Sequence, residues 1–477
     1  MEDENGEQSG DEIEIVEFDE NVEEPQLDEP DDVNVDDVIE ETPPDPSLEA
    51  QRPIRRGCQK NVALDERAKL QSERVRINFS LARQMKILTG AENLYRATTN
   101  LKVKETVALE LNFVEASVDL LKEELIELNG SVKEYQSNSE TVVMPMISIG
   151  LKETESVTFD NVMKDFILEH YSEDGEYYNN EIEDFNDLRD ATMTPLRDED
   201  GIDLLYEYYN QLYFIDNRFF PPSRPLGVFL SWYDSLTGLA SIQKTCAFEK
   251  ASVLFNIGAL FTQIGSRTTR LKRDGIEDAI ESFQHAAGAF NYIRLNFSNA
   301  PTADMSPAFL NTIVNLMLAQ AQEALFEKRL LGGVGEASFT KLIDISGEAS
   351  KVSEKYRLVE SVMGPDNQYI EFIPTSWTSM VQIKTNHYKA LSHYFMSLAL
   401  NHAEFSATKD PVSPLKAAYS SDMPAEYPTL DEMCRRKTLR KQVAQAHLQQ
   451  ASQLHEVTLQ KSRSNSRVLK GVGSLLV

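Results

Sequence analysis

Three histidines, His387, His393 and His402, fall within one predicted helix, Trp377 to Ala403, at spacings of 6 and 9 residues. Chelation of a metal on a helix needs imidazoles one turn apart, at i and i+4, and neither spacing supplies that. Carboxylates crowd at Glu181, Glu183, Asp184 and Asp187, a pattern usual for a solvated helix face and without a paired base. The glycine-rich piece Leu331 to Ser338 (LGGVGEAS) lacks the lysine of a phosphate loop and reads as a connection between helices. No GxGxxG, GxxxxGK[ST], HExxH or GxSxG occurs. These residues predict no catalytic site, no cofactor and no metal, so the function is expected in binding surfaces and the helices that hold them.

The chain has 477 residues and a formal charge of −30, yet residues 1–50 hold 22 acidic side chains and no Lys or Arg, leaving −8 for the rest. The acidic segment 1–54 mixes self-repelling carboxylates with prolines and isolated apolar residues, which bury too little surface to offset chain entropy. It is expected to be a disordered tail, acting as a solubilising leader or as an arm that docks on a basic face. The start, MEDENGEQSG, shows neither a basic n-region nor an apolar h-region. The uncharged runs Ala251 to Ser266 and Met305 to Gln322 are interrupted by Asn or Gln and read as buried helices, not bilayer spans. Cys58, Cys246 and Cys434 form no CxxC pair and are expected as reduced thiols. These readings place the chain in the cytoplasm, peripheral to membranes or cytoskeleton. Nucleic acid is not expected as a partner.

Eight apolar residues stand in strict 4-3 alternation: Val107, Leu111, Val114, Val118, Leu121, Leu125, Leu128 and Val132. Such a seam must be covered by another helix. The preceding stretch reads as a helix over 64–96, with a break near Thr98-Thr99-Asn100. From Arg55 to Arg96 there are 10 basic and 4 acidic residues, and from Leu101 to Glu134 there are 4 basic and 8 acidic. Opposite charge and a short connection favour an antiparallel hairpin over 55–136. A long dimeric coiled coil is the alternative.

Over 144–470 the pattern becomes a large helical domain. Helices are expected at Val162 to His170, Gly201 to Leu212, Phe248 to Ile264, Asp278 to Leu295, Pro307 to Lys328, Ser338 to Val362, Trp377 to Ala403 and Met433 to Arg463, with strands at Met144 to Leu151 and Leu226 to Tyr233. Small residues at Ala286, Ala287, Gly288 and Ala289 suit close helix packing. The fold class is mainly α: an antiparallel coiled-coil hairpin, then a solenoid-like helical domain with a minor β element.

The hairpin, with KILTGAENLYRAT at its turn and LELNFVEASVDLLKEELIELN after it, resembles the Rho-effector homology repeat of class I Rho effectors. The later segments FEKASVLFNIGALFTQIG, AIESFQHAAGAFNYI and MLAQAQE resemble the BRO domain of the Alix family. The tandem, with LKETESVTFDNVMKDFILEHYSEDG and RFFPPSRPLGVFLSWYDSLTG, is similar to the rhophilin family. That resemblance implies a non-enzymatic effector or scaffold that binds a GTP-loaded Rho-family GTPase through its hairpin and links it to cytoskeletal or trafficking partners. Rhophilin-type proteins carry a PDZ domain after the BRO domain and this sequence shows none, which suggests a truncated isoform or an incomplete gene model.

Candidates for the Rho contact are Val75, Phe79, Arg83, Lys86, Asn93 and Arg96. In Alix-like domains a concave apolar patch captures a helix of an ESCRT filament subunit, and the matching positions here are Leu325, Ser338 and Leu342. Ser338 replaces a large aliphatic anchor, a loss of about 1 to 3 kcal/mol, which weakens an ESCRT-type or helical-peptide partnership. The rival function is an endosomal trafficking adaptor in which the hairpin dimerises or spaces. A third reading concerns Arg435, Arg436, Lys437, Arg440, Lys441, Lys461, Arg463, Arg467 and Lys470, opposed by Glu456 alone. Such a stretch suits a weak contact with acidic lipid.

Overall fold

A computed structural model of the chain describes residues 55–58, 62–98, 100–129, 144–219, 227–297, 301–331, 333, 337–364, 373–406, 410–419 and 429–464. The acidic segment 1–54, seam position Val132, and Arg467 and Lys470 lie outside the described residues, and of Val75, Leu128 and Arg463 the side chains do.

The hairpin consists of α1 (Val62–Ala97) and α2 (Leu101–Asn129). Asn100 starts α2 by accepting the Lys102 backbone N–H at 3.1 Å through its side chain, which satisfies one of the orphan donors of a helix start. Ile77 and Leu81 of α1 and Val107, Val114, Val118 and Leu125 of α2 are buried, with Leu88 and Leu121 packed on the Leu81, Val114 and Val118 cluster. The seam is therefore covered in cis by the helix before it. An Arg76 to Glu124 ion pair at 3.1 Å ties the two helices across their surface.

The helical domain runs through α3 (Asp160–Tyr171), α4 (Asn179–Ala191), α5 (Glu199–Arg218), strands β1 (Leu230–Tyr233) and β2 (Ala240–Gln243), then α6 (Cys246–Arg267), α7 (Arg273–Asn296), α8 (Pro307–Leu330), α9 (Phe339–Val362) and α10 (Thr375–Asn401), and ends with α11 (Val412–Ala418), α12 (Leu430–Arg435) and α13 (Lys437–Ser464). From α6 to α10 each helix packs on the next, and α13 packs back on α10. Ser306 caps α8 by accepting the Phe309 N–H, with Pro307 in the first turn, the start the sequence signals. Small residues allow α6 and α7 to touch: a Cβ on Gly258 would lie 3.0 Å from the Phe290 ring, and one on Gly265 would lie 3.1 Å from Ser282. Ala289 belongs to that contact, 3.3 Å from a Cβ on Gly258, and Ala286 and Ala287 are buried, whereas a Cβ on Gly288 would meet nothing within 4 Å.

Met144 to Leu151, expected as a strand, forms neither strand nor helix and joins no ladder. It is threaded among α6 and α8, and buried side-chain amides take the place of a partner strand. Gln320 accepts the Ile147 N–H at 2.6 Å and donates to its carbonyl at 3.0 Å. Thr262 accepts the Ile149 N–H at 2.8 Å, and Gln263 donates to the Ile149 carbonyl at 2.8 Å. Asn256 repeats the two-way bond with Lys152 at 2.7 and 2.9 Å. Buried backbone groups must be paired, and the polar residues that interrupt the two uncharged runs do the pairing. The Leu226 to Tyr233 expectation is met over Leu230–Tyr233, which pairs antiparallel with β2, a strand missed on sequence because Ala-Ser-Ile-Gln is short and half polar.

Among the described residues, three ion pairs are fully buried in this core. Lys152 meets Asp304 at 2.6 Å, Arg189 meets Glu249 at 3.1 Å, and Lys384 meets Glu323 at 2.7 Å. Each joins elements distant in sequence and is completed by further donors, as when Tyr208 and Trp232 both bond Glu249. Burial and the Asp304 charge push the Asp234 carboxyl up to about 6. Arg55 to Cys58, grouped with the hairpin on sequence, packs on the helical domain instead. Arg55 binds Asp184 and Glu207, Arg56 binds Asp200 at 2.7 Å, and the Gly57 carbonyl accepts the Leu196 N–H at 2.6 Å. Gly57 has φ +84, and a Cβ there would lie 2.2 Å from the Asp200 carbonyl oxygen, so the position requires glycine.

Candidate binding surfaces on the helical hairpin

In α1 the buried line Ile77, Leu81 and Leu88 faces α2. Two residues of helix turn the chain by about 200°, so Phe79, Arg83, Lys86 and Asn93 form a stripe on the opposite, solvent side. All four are exposed, Phe79 by 74%. Gly90 belongs to the same stripe and leaves it open, since a Cβ there would touch nothing. Arg83 and Lys86 make no ion pair among the described residues. Arg96 lies off this line and pairs with Glu92 at 3.2 Å. The structure thus unites four of the six GTPase-contact candidates.

The same spacing recurs on α2, where sequence reading stopped at the first seam. Leu109, Phe113, Ala116 and Leu120 follow 4-3-4, displaced by two residues from Val107, Leu111, Val114 and Val118. Leu109 and Phe113 are each 72% exposed and Leu120 66%. Glu105 flanks this stripe on one side, and Glu110 and Glu124 flank it on the other, all exposed. An apolar stripe left in water by a rigid element marks an interaction surface. Its signal was present in the sequence as a second heptad register.

The patch candidates of the helical domain are arranged differently from the expectation. Ser338 is the N-cap of α9, its side chain accepting the Lys341 N–H at 3.3 Å. Leu342 is 3% exposed and belongs to the core, and Leu325 is half-buried. Ser338 is thus used to start a helix, and Leu342 presents little to a ligand. The basic C-terminal stretch also divides. Arg440 is buried, bonded to the Leu400 carbonyl at 3.1 Å and 4.0 Å from the Phe405 ring, whereas Arg435, Arg436, Lys437, Lys441 and Lys461 are exposed.

Cys58, Cys246 and Cys434 form no disulfide, and the Cys58 Sγ lies 3.3 Å from the Thr194 hydroxyl. Among the described residues, no helix is long and apolar enough to cross a membrane, and no cluster of three or more His, Cys, Asp or Glu could hold a metal ion.

Comparison with known families gives a BRO1-like domain over residues 146–473 and an Hr1 repeat over 73–136. The chain belongs to the BRO1-like domain family. Its relatives include Rhophilin-2-B of Xenopus laevis, 43% identical over 416 residues, covering 87% of this chain and 60% of that one. Rhophilin-2 of Mus musculus is 48% identical over 347 residues, covering 73% and 50%, and Rhophilin-1 of Mus musculus is 43% identical over 427 residues, covering 89% and 65%. The chain spans about half to two thirds of the length of these relatives. The solved structure "ALIX BRO1 CHMP4C complex" is similar with a TM-score of 0.49 and 24% identity, covering 66% of this chain and 88% of that one. The families of these matches are binding and scaffold proteins.

Proposed function

We propose that this chain is an effector scaffold whose hairpin binds a GTP-loaded Rho-family GTPase on the solvent stripe of α1, and whose helical domain engages a cytoskeletal or trafficking partner. The observation that carries the reading is the seam: α1 and α2 satisfy each other's apolar faces, so the finger stands as a rigid platform and Phe79, Arg83, Lys86 and Asn93 are free for a partner. Membership of the Hr1 repeat over 73–136 and the rhophilin relatives support the class of partner. Nucleotide dependence then resides in the GTPase, whose switch loops are ordered by the γ-phosphate, and the finger need not change shape. Recruitment by an activated GTPase would carry a cytoplasmic protein to the membrane surface.

The test is binding of the full chain to Rho loaded with a GTP analogue or with GDP. The expected result is at least tenfold tighter binding to the GTP form, lost on Arg83→Glu with Lys86→Glu, two exposed positions outside the seam. Equal binding to both nucleotide forms overturns the effector reading. An ESCRT-type capture of a helix draws no support from Ser338 and Leu342, since one is a helix cap and the other lies in the core.

A further inference from the structure

We infer that the outer face of α2 is a second, independent docking surface of the finger, and that it takes a basic amphipathic helix from another polypeptide. The argument begins with periodicity. Leu109, Phe113, Ala116 and Leu120 repeat at the 3.5-residue average of a coiled-coil seam. α2 therefore carries two heptad seams on opposite sides, one filled by α1 and one facing water. A helix built with two seams is the middle member of a layer of three. Among the described residues no third helix covers the outer seam.

The chemistry of the occupant follows from the rim. In a coiled coil the positions flanking the seam pair with opposite charges on the incoming helix. Here those positions include Glu105 and Asn112 on one side and Glu110, Ser117 and Glu124 on the other, so every charged one described is a glutamate. Glu124 already meets Arg76, while Glu105 and Glu110 make no ion pair among the described residues. The complement is a helix with apolar residues at 4-3 spacing and Lys or Arg beside them. Acidic lipid and nucleic acid would both be repelled by that rim.

A second copy of the chain fits poorly. Two α2 faces together would oppose like charges, and the outer stripe of α1 offers Phe79 followed by Arg83, Lys86 and Asn93, one apolar residue where a seam needs several. The α1 and α2 stripes point away from each other, so a GTPase and a helix could occupy the finger together.

The test uses the full chain and a synthetic peptide of about three heptads, with Leu at the seam positions and Lys at the flanks, beside a counterpart with Glu at the flanks. At physiological salt the Lys peptide should bind at least tenfold tighter than the Glu peptide. The triple variant Leu109→Ser, Phe113→Ser, Leu120→Ser keeps every charge and alters exposed side chains, so it should fold normally and lose that binding at least tenfold, while GTP-loaded Rho still binds. If the Lys peptide binds the triple variant equally well, the attraction is to acidic charge alone and the inference fails. If the triple variant instead loses GTP-loaded Rho, the face belongs to the GTPase. If wild type self-associates in sedimentation and the triple variant does not, a second copy is the occupant. Each of these three results overturns the inference, and none of them bears on whether Rho binds in a GTP-dependent manner.

Discussion

Gln320 of α8 and Ile147, 173 residues apart in sequence, exchange two hydrogen bonds inside the core, the side-chain amide taking the part that a neighbouring strand would play. A helix side chain has become a piece of sheet.

Replacing Gln320 with Leu keeps the volume close and removes both bonds. The Ile147 N–H and C=O would be left buried without partners, at about 1 to 3 kcal/mol each. Thermal unfolding should show a drop of several degrees.

Lys384 and Glu323 are fully buried and share the Tyr356 hydroxyl. Lys384→Met leaves the carboxylate without its counter-charge, and about 3 to 5 kcal/mol should be lost. The double variant Lys384→Met, Glu323→Gln should recover part of it, and a denaturant double-mutant cycle reads the coupling.

In the hairpin, Leu81 and Phe79 sit two residues apart with opposite fates. Leu81→Ala opens a gap against Val114 and Val118 and should cost about 2 to 5 kcal/mol. Phe79→Ser should change stability by no more than about 0.5 kcal/mol. Hydrogen exchange of α2 amides separates the two: faster in the first, unchanged in the second.

Two histidine pairs cross between α10 and α13. His387 faces His455 with ring centres 5.4 Å apart, and His393 Nδ1 lies 2.8 Å from His447 Nδ1, with the Tyr419 hydroxyl 2.7 Å from the far nitrogen. Burial, then His455 and Lys384, pushes His387 down to about 3; burial, then His393, pushes His447 down to about 4. His393 is lowered by burial and by Lys389, and His455 by burial. The charged residues acting on these rings are thus both lysines. Because the folded values lie below the unfolded value of about 6.5, the unfolded chain binds protons first. Stability should be complete above about pH 6.5 and fall as pH drops through 6 towards 4, by up to about 1.4 kcal/mol per unit for each imidazole kept neutral. Urea midpoints at several pH values should show this slope, and His387→Gln should flatten it.

Legibility from sequence followed the reach of each signal. The seam at Val107 to Leu125 could be read because heptad spacing is local, and its cover by α1 because charge could be counted. Leu109, Phe113 and Leu120 carry the same spacing, but a second register on one helix is indistinguishable from scattered surface residues until the first is seen to be covered. Thr98 to Asn100 was legible as a break, but the Asn100 cap was not sought. α4 is hard to read from sequence because Glu181, Glu183, Asp184 and Asp187 outnumber the apolar residues of its inner face, Ile182, Phe185 and Leu188. The single helix expected over Met433 to Arg463 is two, α12 and α13, parted at Arg436, whose backbone is extended. Met144 to Leu151 reads as a strand and forms none, because its partners at Thr262, Gln263 and Gln320 are helix side chains at separations no local pattern reaches.

Those separations also order events in time. The threaded segment emerges from the ribosome ahead of every residue that pairs its backbone, and Gln320 is made 173 residues after Ile147. Contacts this far apart in sequence slow folding. The stretch must wait, unpaired, until α6 and α8 close around it, so during synthesis the first part of the domain to be made is among the last to be buried.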